Sequence, residues 1–240
     1  MRQIFAGLTL LAMALAGSSR AAERFDARFD LYLGGIRAAE ILIRTEWEGA
    51  RFEGRSLLRT VGLAKLIYKG FYRVRAEGRL DGTGLREGLF VADSAFGGKR
   101  QQVRVAYRNG RPDIVEADPP FRPKPWQIEP RAQAGTFDPF SAALMLIRPE
   151  PAERICNRKV DIFDGRRRTR ISLGPPYRAH DGLRCAATYE RVGGFSPRTM
   201  RKGRTFEFTA VFRVNDAGLA ELRQVFGGTD FGVAVARRRG

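Results

Sequence analysis

The sequence predicts a mainly β protein: an antiparallel, strongly curved or barrel-like sheet with one buried helix at about 137–148 and a short helical segment at about 62–69. Three observations predict this fold class. About a dozen short runs alternate apolar and polar residues with the period of a strand. Gly-Gly, Asn-Gly and Asp-Gly pairs separate many of these runs, as they do in hairpins. One stretch alone is apolar on nearly all sides over helical length, which favours a helix inside the curve of the sheet.

The first residues have the composition of a secretory signal peptide. Arg2 supplies the positive start, residues 4–16 are apolar, and Ser19-Arg20-Ala21 offers small residues for cleavage. The apolar run is shorter than the roughly 20 residues that span a bilayer. We expect cleavage after Ala21, a single β-rich domain at 22–240, a periplasmic location and no transmembrane segment in the mature chain. An uncleaved membrane anchor is the alternative.

Strands with period two begin directly after this segment. The first half of the mature chain predicts them at 25–33, 39–47, 52–60, 71–78, 85–94, 102–107 and 113–116. Residues 61–69, which read V-G-L-A-K-L-I-Y-K, interrupt the series because their apolar side chains recur at helical spacing.

The middle of the chain holds a proline-rich stretch and then the helix. Proline excludes both a helix interior and a central strand at 118–135, and the aromatic residues there favour a packed loop over a linker between domains. Thr136 or Asp138 can cap the helix, Pro139 suits its first position, and Pro149 ends it.

The second half predicts a hairpin around Asp164-Gly165, with apolar alternation on both sides. Further strands follow at 183–192, 205–214, 219–226 and 231–235. The last four residues, 237–240, predict a frayed and solvated tail.

Two cysteines in an exported chain favour one disulfide, between Cys156 and Cys185. A shared metal is the rival, but one histidine (His180) and the lack of a C-x-x-C pair leave too few soft ligands. We therefore expect neither a metal nor another cofactor.

The formal net charge is +17, and most of the 43 basic residues are arginines. Export and the spread of these residues over many strands argue against a nucleic-acid partner. A lipid or another anionic envelope component is the candidate partner, and an Arg-rich solvated surface is the alternative. No protein partner can be named.

Several short motifs follow one another along the chain: Gly34-Gly35-Ile36, the helix start with Asp138, Pro139 and Ser141, the F-D-G-R-R-R hairpin at 163–168, and the later Tyr189, Val192 and Gly194. In this order they resemble an exported bacterial family of unknown function, DUF3108. The resemblance extends over roughly residues 25–235. It implies a periplasmic β-rich protein and brings no catalytic residues.

Two groups of residues are candidates for ligand binding. Arg166, Arg168 and Arg170 would share one face of the hairpin and could bind phosphate or carboxylate, with a solvated face as the alternative. Phe206, Phe208 and Phe212 share one face of a strand and would line either a filled core or a cavity for an acyl chain.

Catalytic readings are weaker. His180 lies in a loop without the G-x-S-x-G context that would bring Ser141 or Ser172 to it. Asp138 and Asp164 could form a carboxylate pair, but a helix cap and a turn explain them sufficiently. We therefore expect no enzyme.

Two functions remain open. The first is a non-catalytic periplasmic envelope protein that binds or carries a lipid-like or other anionic amphiphile inside the barrel. The second is a structural or interaction protein with a filled core, docking on an envelope partner or an anionic surface through its Arg-rich face.

Overall fold

The structure is a computed structural model that describes residues 23–81, 84–180, 182–229 and 232–240. The predicted signal peptide at 1–21 lies outside the described residues. The strands are β1 (Glu23–Leu33), β2 (Ile36–Glu48), β3 (Arg51–Thr60), β4 (Gly70–Asp81), β5 (Gly84–Phe96), β6 (Lys99–Arg108), β7 (Arg111–Asp118), β8 (Glu150–Pro151), β9 (Arg158–Phe163), β10 (Arg168–Ala179), β11 (Gly182–Gly193), β12 (Thr205–Val214), β13 (Leu219–Thr229) and β14 (Gly232–Arg238). The helices are α1 (Ala64–Ile67), α2 (Pro139–Ile147), α3 (Ala152–Ile155) and α4 (Pro197–Arg201), with a 3-10 turn at Pro130–Ala132.

All fourteen strands belong to one antiparallel sheet, which confirms the predicted fold class. Its order is β7-β6-β5-β4-β3-β2-β1-β14-β13-β12-β11-β10-β9, and the short β8 pairs with β13. Within β1–β7 and within β9–β14, chain neighbours are therefore sheet neighbours, and the pairing of β1 with β14 joins the two halves. Hydrogen bonds between described strands leave the sheet unclosed, because β7 and β9 are its two edges.

The proline-rich stretch and the residues after it occupy the space between these edges. Gly135 donates its N–H to the carbonyl of Gly110 at 2.9 Å, beside β7. Phe137 forms an isolated parallel bridge with Ile162 of β9. The stretch therefore packs as part of the barrel wall.

Helix α2 fills the interior, and its start agrees with the predicted capping. The carboxylate of Asp138 accepts the N–H groups of Phe140 and Ser141 at 2.8 and 3.0 Å, and Pro139 occupies the first turn. Phe140 is buried against the bare backbone of Gly54 and stacks on Phe52, with ring centroids 6.2 Å apart. The short helical segment predicted at 62–69 is the single turn α1.

The barrel has two different ends, since alternate connections of an up-and-down sheet emerge on the same side. The "disulfide end" carries the connections at 49–50, 109–110, 148–157 and 215–218. The "loop end" carries those at 34–35, 61–69, 97–98, 164–167 and 194–204. Gly34 donates its N–H to the carbonyl of Val233 at 3.1 Å, which places the start of β14 at the loop end.

The disulfide end is held covalently and by added secondary structure. Cys156 and Cys185 form the predicted disulfide, with their Cα atoms 5.9 Å apart. Leu219 of β13 pairs with Pro151 of β8. Arg158 donates to the carbonyl of Met145 at 2.8 Å and so caps the last turn of α2.

The prediction of a frayed tail is wrong. Strand β14 continues to Arg238, and Arg239 binds the carboxylate of Asp30 through two hydrogen bonds of 2.6 and 2.8 Å. Asp30 and Glu40 lie directly opposite each other and are both buried. Two such carboxylates repel, so the cationic tail compensates a charge that the sheet itself creates.

The arginines around these two carboxylates also determine their ionisation. Arg37 donates to both at 2.8 and 2.9 Å, and Arg59 donates to Glu40 at 2.7 Å. Hydrogen bonding by Arg239 is the main cause that lowers the pKa of Asp30, and hydrogen bonding by Arg59 is the main cause that lowers the pKa of Glu40. Both carboxylates therefore stay ionised in the folded protein to a lower pH than ordinary carboxyl groups.

Candidate functional site

The three arginines of the predicted anion strip do not act as one group. Arg168 and Arg170 lie in β10, and both bind the carboxylate of Asp161, at 3.0 and 2.8 Å. Glu190 lies 3.9 Å from Arg170 and extends this network. Arg166 lies in the turn before the strand, where its guanidinium stands 5.4 Å from the ring centre of Phe121. An Arg-rich face on β10 is thus largely neutralised within the protein, whereas Arg166 is not.

The three phenylalanines share the inner face of β12, as the alternation predicts, but their burial differs. Phe212 is 1% exposed and belongs to the core. Phe208 is half-buried against that core, and Phe206 is 38% exposed at the loop end. The face therefore runs from a packed core to an open edge.

Exposed apolar side chains are concentrated at the loop end. The described residues have eleven exposed large apolar side chains, and only Ile114, Tyr177 and Val214 lie elsewhere. The others flank or form the loop-end connections: Leu33, Ile36, Leu63, Leu66, Ile67, Tyr68, Phe206 and Val233. Exposed apolar side chains gathered at one end of a fold are typical of an interaction surface.

The most exposed of these residues form a tip around α1. Leu66 is 84% exposed and Ile67 is 90% exposed, whereas a helical turn in a globular fold normally buries its apolar side. Tyr68 stacks on Phe96 of the neighbouring hairpin, with ring centroids 5.6 Å apart and planes 11° apart. The tip is thus anchored at its base while its leucine and isoleucine point to solvent.

Basic residues share the loop end with the exposed apolar residues. Five of the chain's six lysines belong to loop-end segments (Lys65, Lys69, Lys99, Lys124 and Lys202), and Lys159 in β9 is the sixth. Arg167 and Arg191 approach the ring of Phe195 to within 5.3 and 5.7 Å, and Arg191 also lies 4.6 Å from the ring centre of Phe206. We call the apolar residues and these basic residues together the "docking rim". Of the six predicted site residues, Phe206 belongs to it, and Arg166 lies beside Arg167 in the β9–β10 turn at the same end.

The catalytic alternatives find no support in the placement of their residues. His180 is exposed in the β10–β11 turn. Asp138 is buried by the helix that it caps, and this burial raises its pKa. Asp164 accepts the N–H groups of Arg166 and Arg167 at 2.9 and 2.7 Å, as a turn residue does. Within the described ranges, no cluster of three or more His, Cys, Asp or Glu side chains is arranged to hold a metal.

The docking rim was missed by pattern reasoning, although a signal was present. The stretch V-G-L-A-K-L-I-Y-K indicates a helical turn, but the same pattern suits both a buried and an exposed turn. Only the lysines at both sides of Leu66-Ile67 hinted that this turn stays outside. Among the described residues, none of the helices is long and apolar enough to cross a bilayer.

Fold and surface together define a barrel-like, antiparallel β protein with a filled interior and a basic, apolar rim. Residues 28–179 match the profile of the family described as "Protein of unknown function (DUF3108)", and the chain belongs to this family. The match includes the Gly-Gly turn, the helix start and the F-D-G-R-R-R hairpin but ends before Tyr189. It is therefore shorter than the resemblance that the motifs suggested.

Among solved structures, the chain is similar to a β-barrel-like protein of domain of unknown function DUF1849 from Brucella abortus. The identity is 14%, the alignment covers 91% of this chain and 95% of that one, and the TM-score is 0.47. A similarity of this size supports no conclusion about function. No curated protein sequence matches this chain at a significant level.

Proposed function

We propose that this chain is an exported, non-catalytic envelope protein that docks on an anionic lipid surface through its docking rim. The observation that carries the proposal is the gathering of exposed apolar side chains and lysines at one end of the barrel. The disulfide supports an oxidising compartment, which for a bacterial exported family is the periplasm.

The two kinds of side chain suit the two layers of a membrane surface. Fully burying a leucine or isoleucine contributes about 1.5–3 kcal/mol, and the exposed Leu66 and Ile67 are free to enter the acyl boundary. Each lysine close to an anionic surface adds about 1 kcal/mol. Tyr68 belongs to the residue type that accumulates at the level of the headgroups. Several such terms together yield reversible binding without a membrane-spanning segment.

The packing of the interior supports docking over carriage of an acyl chain inside the barrel. Phe90, Phe163, Phe212 and Leu144 are each less than 2% exposed, and α2 occupies the centre. An acyl chain could therefore not lie along the centre of the barrel without displacing this helix. A filled core is the feature that distinguishes the second function of the sequence analysis, docking on a partner or surface, from carriage of a ligand.

The test is vesicle co-sedimentation of the mature chain with lipids that differ in charge. We expect binding to phosphatidylglycerol-containing vesicles and much weaker binding to pure phosphatidylcholine. Leu66→Glu combined with Ile67→Glu should weaken binding more than about tenfold. The double variant removes two apolar side chains that would be buried in the membrane, and its carboxylates are repelled by the anionic lipids. Raising the salt concentration should weaken binding only in part, because the apolar contribution is not screened.

The matched control is Ile114→Glu combined with Val214→Glu, two exposed apolar residues away from the loop end. This variant should bind vesicles like the wild type. Equal losses of vesicle binding in both variants, or a wild type that does not bind anionic vesicles, would refute the proposal. The docking rim would then be assigned to a protein partner.

A further inference from the structure

A small pocket opens at the loop end beside the apolar tip. It has a volume of about 170 Å³ and lies between the β9–β10 turn and the parts of β4, β5 and β6 that are nearest the loop end. Its polar lining consists of Tyr72, Ser94, Gln101, Asp164, Arg166 and Arg167. Since pockets for drug-sized ligands usually measure about 300–1,000 Å³, this one suits a group of a few heavy atoms and not an acyl chain.

The pocket exists because the β9–β10 turn enters the barrel mouth. Gly165 has a φ of +91° and is buried, and a Cβ there would lie only 2.8 Å from Cγ1 of Val103. Gly194, with a φ of +81°, lies so close behind the turn that a Cβ would overlap the carbonyl oxygen of Arg166. The two glycines thus fix the position of the arginines over β6.

The wall of the pocket contains hydrogen-bond donors and acceptors that other groups of the described protein do not use. The Tyr72 side chain is half-buried, and its hydroxyl has no hydrogen-bond partner among the residues that the structure describes. Burial, and then the nearby Asp164 carboxylate, raise the pKa of Tyr72, so its hydroxyl remains a donor. Gln101 donates through Nε2 to the carbonyl of Pro119 at 2.8 Å, which leaves its amide oxygen as an acceptor.

The mouth of the pocket carries two cations and one anion. Arg166 and Arg167 stand over the rings of Phe121 and Phe195, and neither forms an ion pair with a carboxylate in the described part of the chain. Asp164 uses one oxygen, Oδ1, for the two N–H groups of the turn. Its other oxygen can accept a hydroxyl, so the mouth suits a ligand that joins an anion to hydroxyl groups.

We infer that this pocket binds a phosphate ester with free hydroxyl groups, the phosphate on Arg166 and Arg167 and the hydroxyls on Asp164 and Tyr72. As a lipid headgroup, such a group would give the docking rim a preference among anionic lipids, and in this form the inference rests on the proposed function. The same chemistry occurs in free glycerol phosphate, and the experiment separates the two sources.

The experiment compares vesicles that contain equal amounts of phosphatidylglycerol or of phosphatidylmethanol, which carry the same charge but differ in the headgroup hydroxyls. We expect the wild type to bind phosphatidylglycerol about two- to tenfold more tightly, the effect of one or two hydrogen bonds. Tyr72→Phe should reduce this ratio while leaving phosphatidylmethanol binding unchanged. Tyr177→Phe, an exposed tyrosine of β10, is the control and should keep the ratio.

The outcomes distinguish the pocket from the rim. Equal binding of the two lipids by wild type and Tyr72→Phe would overturn the pocket while docking stands. If no vesicle binds, the proposed function fails, and an NMR titration with glycerol 3-phosphate decides on the pocket. Shifts around Tyr72 and Asp164 that Arg166→Gln abolishes would then assign it to a free ligand, and their absence would overturn the inference.

Discussion

The two ends of this barrel are built on opposite principles. At the disulfide end, Cys156–Cys185, the β8–β13 pair and the aromatic stack of Phe52 on Phe140 join distant parts of the chain. At the loop end, Leu66 and Ile67 remain in solvent, and Lys65 and Lys69 flank them in the sequence. Apolar side chains are packed inside the protein at the disulfide end, whereas they stay exposed at the loop end.

This difference shows where stability and function are separated. Apolar area stabilises the fold only where it is removed from water. Apolar area that stays exposed is unfavourable, and large exposed patches usually serve an interaction. Because the disulfide end carries the packing, the loop end can present side chains that contribute little to folding. Substitutions at the two ends should therefore have different effects.

The largest difference is expected for the same substitution at the two ends. Phe140→Ala should lower the free energy of unfolding by about 3–5 kcal/mol, since it empties the centre of the core. Phe206→Ala should cost about 1 kcal/mol or less, because that ring is partly exposed and packs on Tyr189, Arg191 and Gly203 at the edge of the fold. Urea denaturation measures both values, and similar losses would contradict the division of roles.

Removal of the disulfide should come next in size. Replacing Cys156 and Cys185 by serine opens a loop with a sequence separation of 29, worth about 3–4 kcal/mol in the chain-entropy model. Vesicle binding of the folded fraction should persist, because the bond lies at the end opposite the docking rim. A variant that keeps its melting temperature, or that loses binding while folded, would break the comparison.

Acid below the ordinary carboxyl pKa should give a smaller effect, and it should act at the loop end. The pKa values of Asp30 and Glu40 are lowered in the fold, so their ion pairs contribute stability above the ordinary carboxyl pKa of about 4. That stability is lost as the pH falls through the lowered values. Hydrogen exchange should therefore increase first near the β1–β2 turn at low pH, whereas reduction of the disulfide loosens the other end.

Arg239→Gln is the control for the acid effect, since it removes the main cause of the lowered pKa of Asp30. Its stability should depend less on pH in the acid range. An unchanged pH profile would show that the contact of Arg239 with Asp30 does not contribute to the acid sensitivity of the fold.

Local sequence patterns were sufficient for the long strands and for α2, but not for the short β8, α3 and α4. The alternation of residues 25–33 and 205–214 predicts strands because period two is a property of each strand by itself. Asp138-Pro139 predicts a helix start for the same local reason, and Asp164-Gly165 a hairpin. The ion pairs of Arg168 and Arg170 could not be predicted, because strand pairing decides whether Asp161 lies beside them.

The sequence alone determined the mainly β class, the buried helix, the disulfide and the family, since these depend on local periodicity, capping and the count of cysteines. Only the tertiary structure decided which arginines are already neutralised, that the tail binds Asp30, and that the apolar turn α1 stays outside. The physical reason is that charge compensation and solvent exposure depend on neighbours that are distant in the chain. Pairing of β1 with β14 brings Arg239 to Asp30 across 209 residues, and no local pattern records that contact.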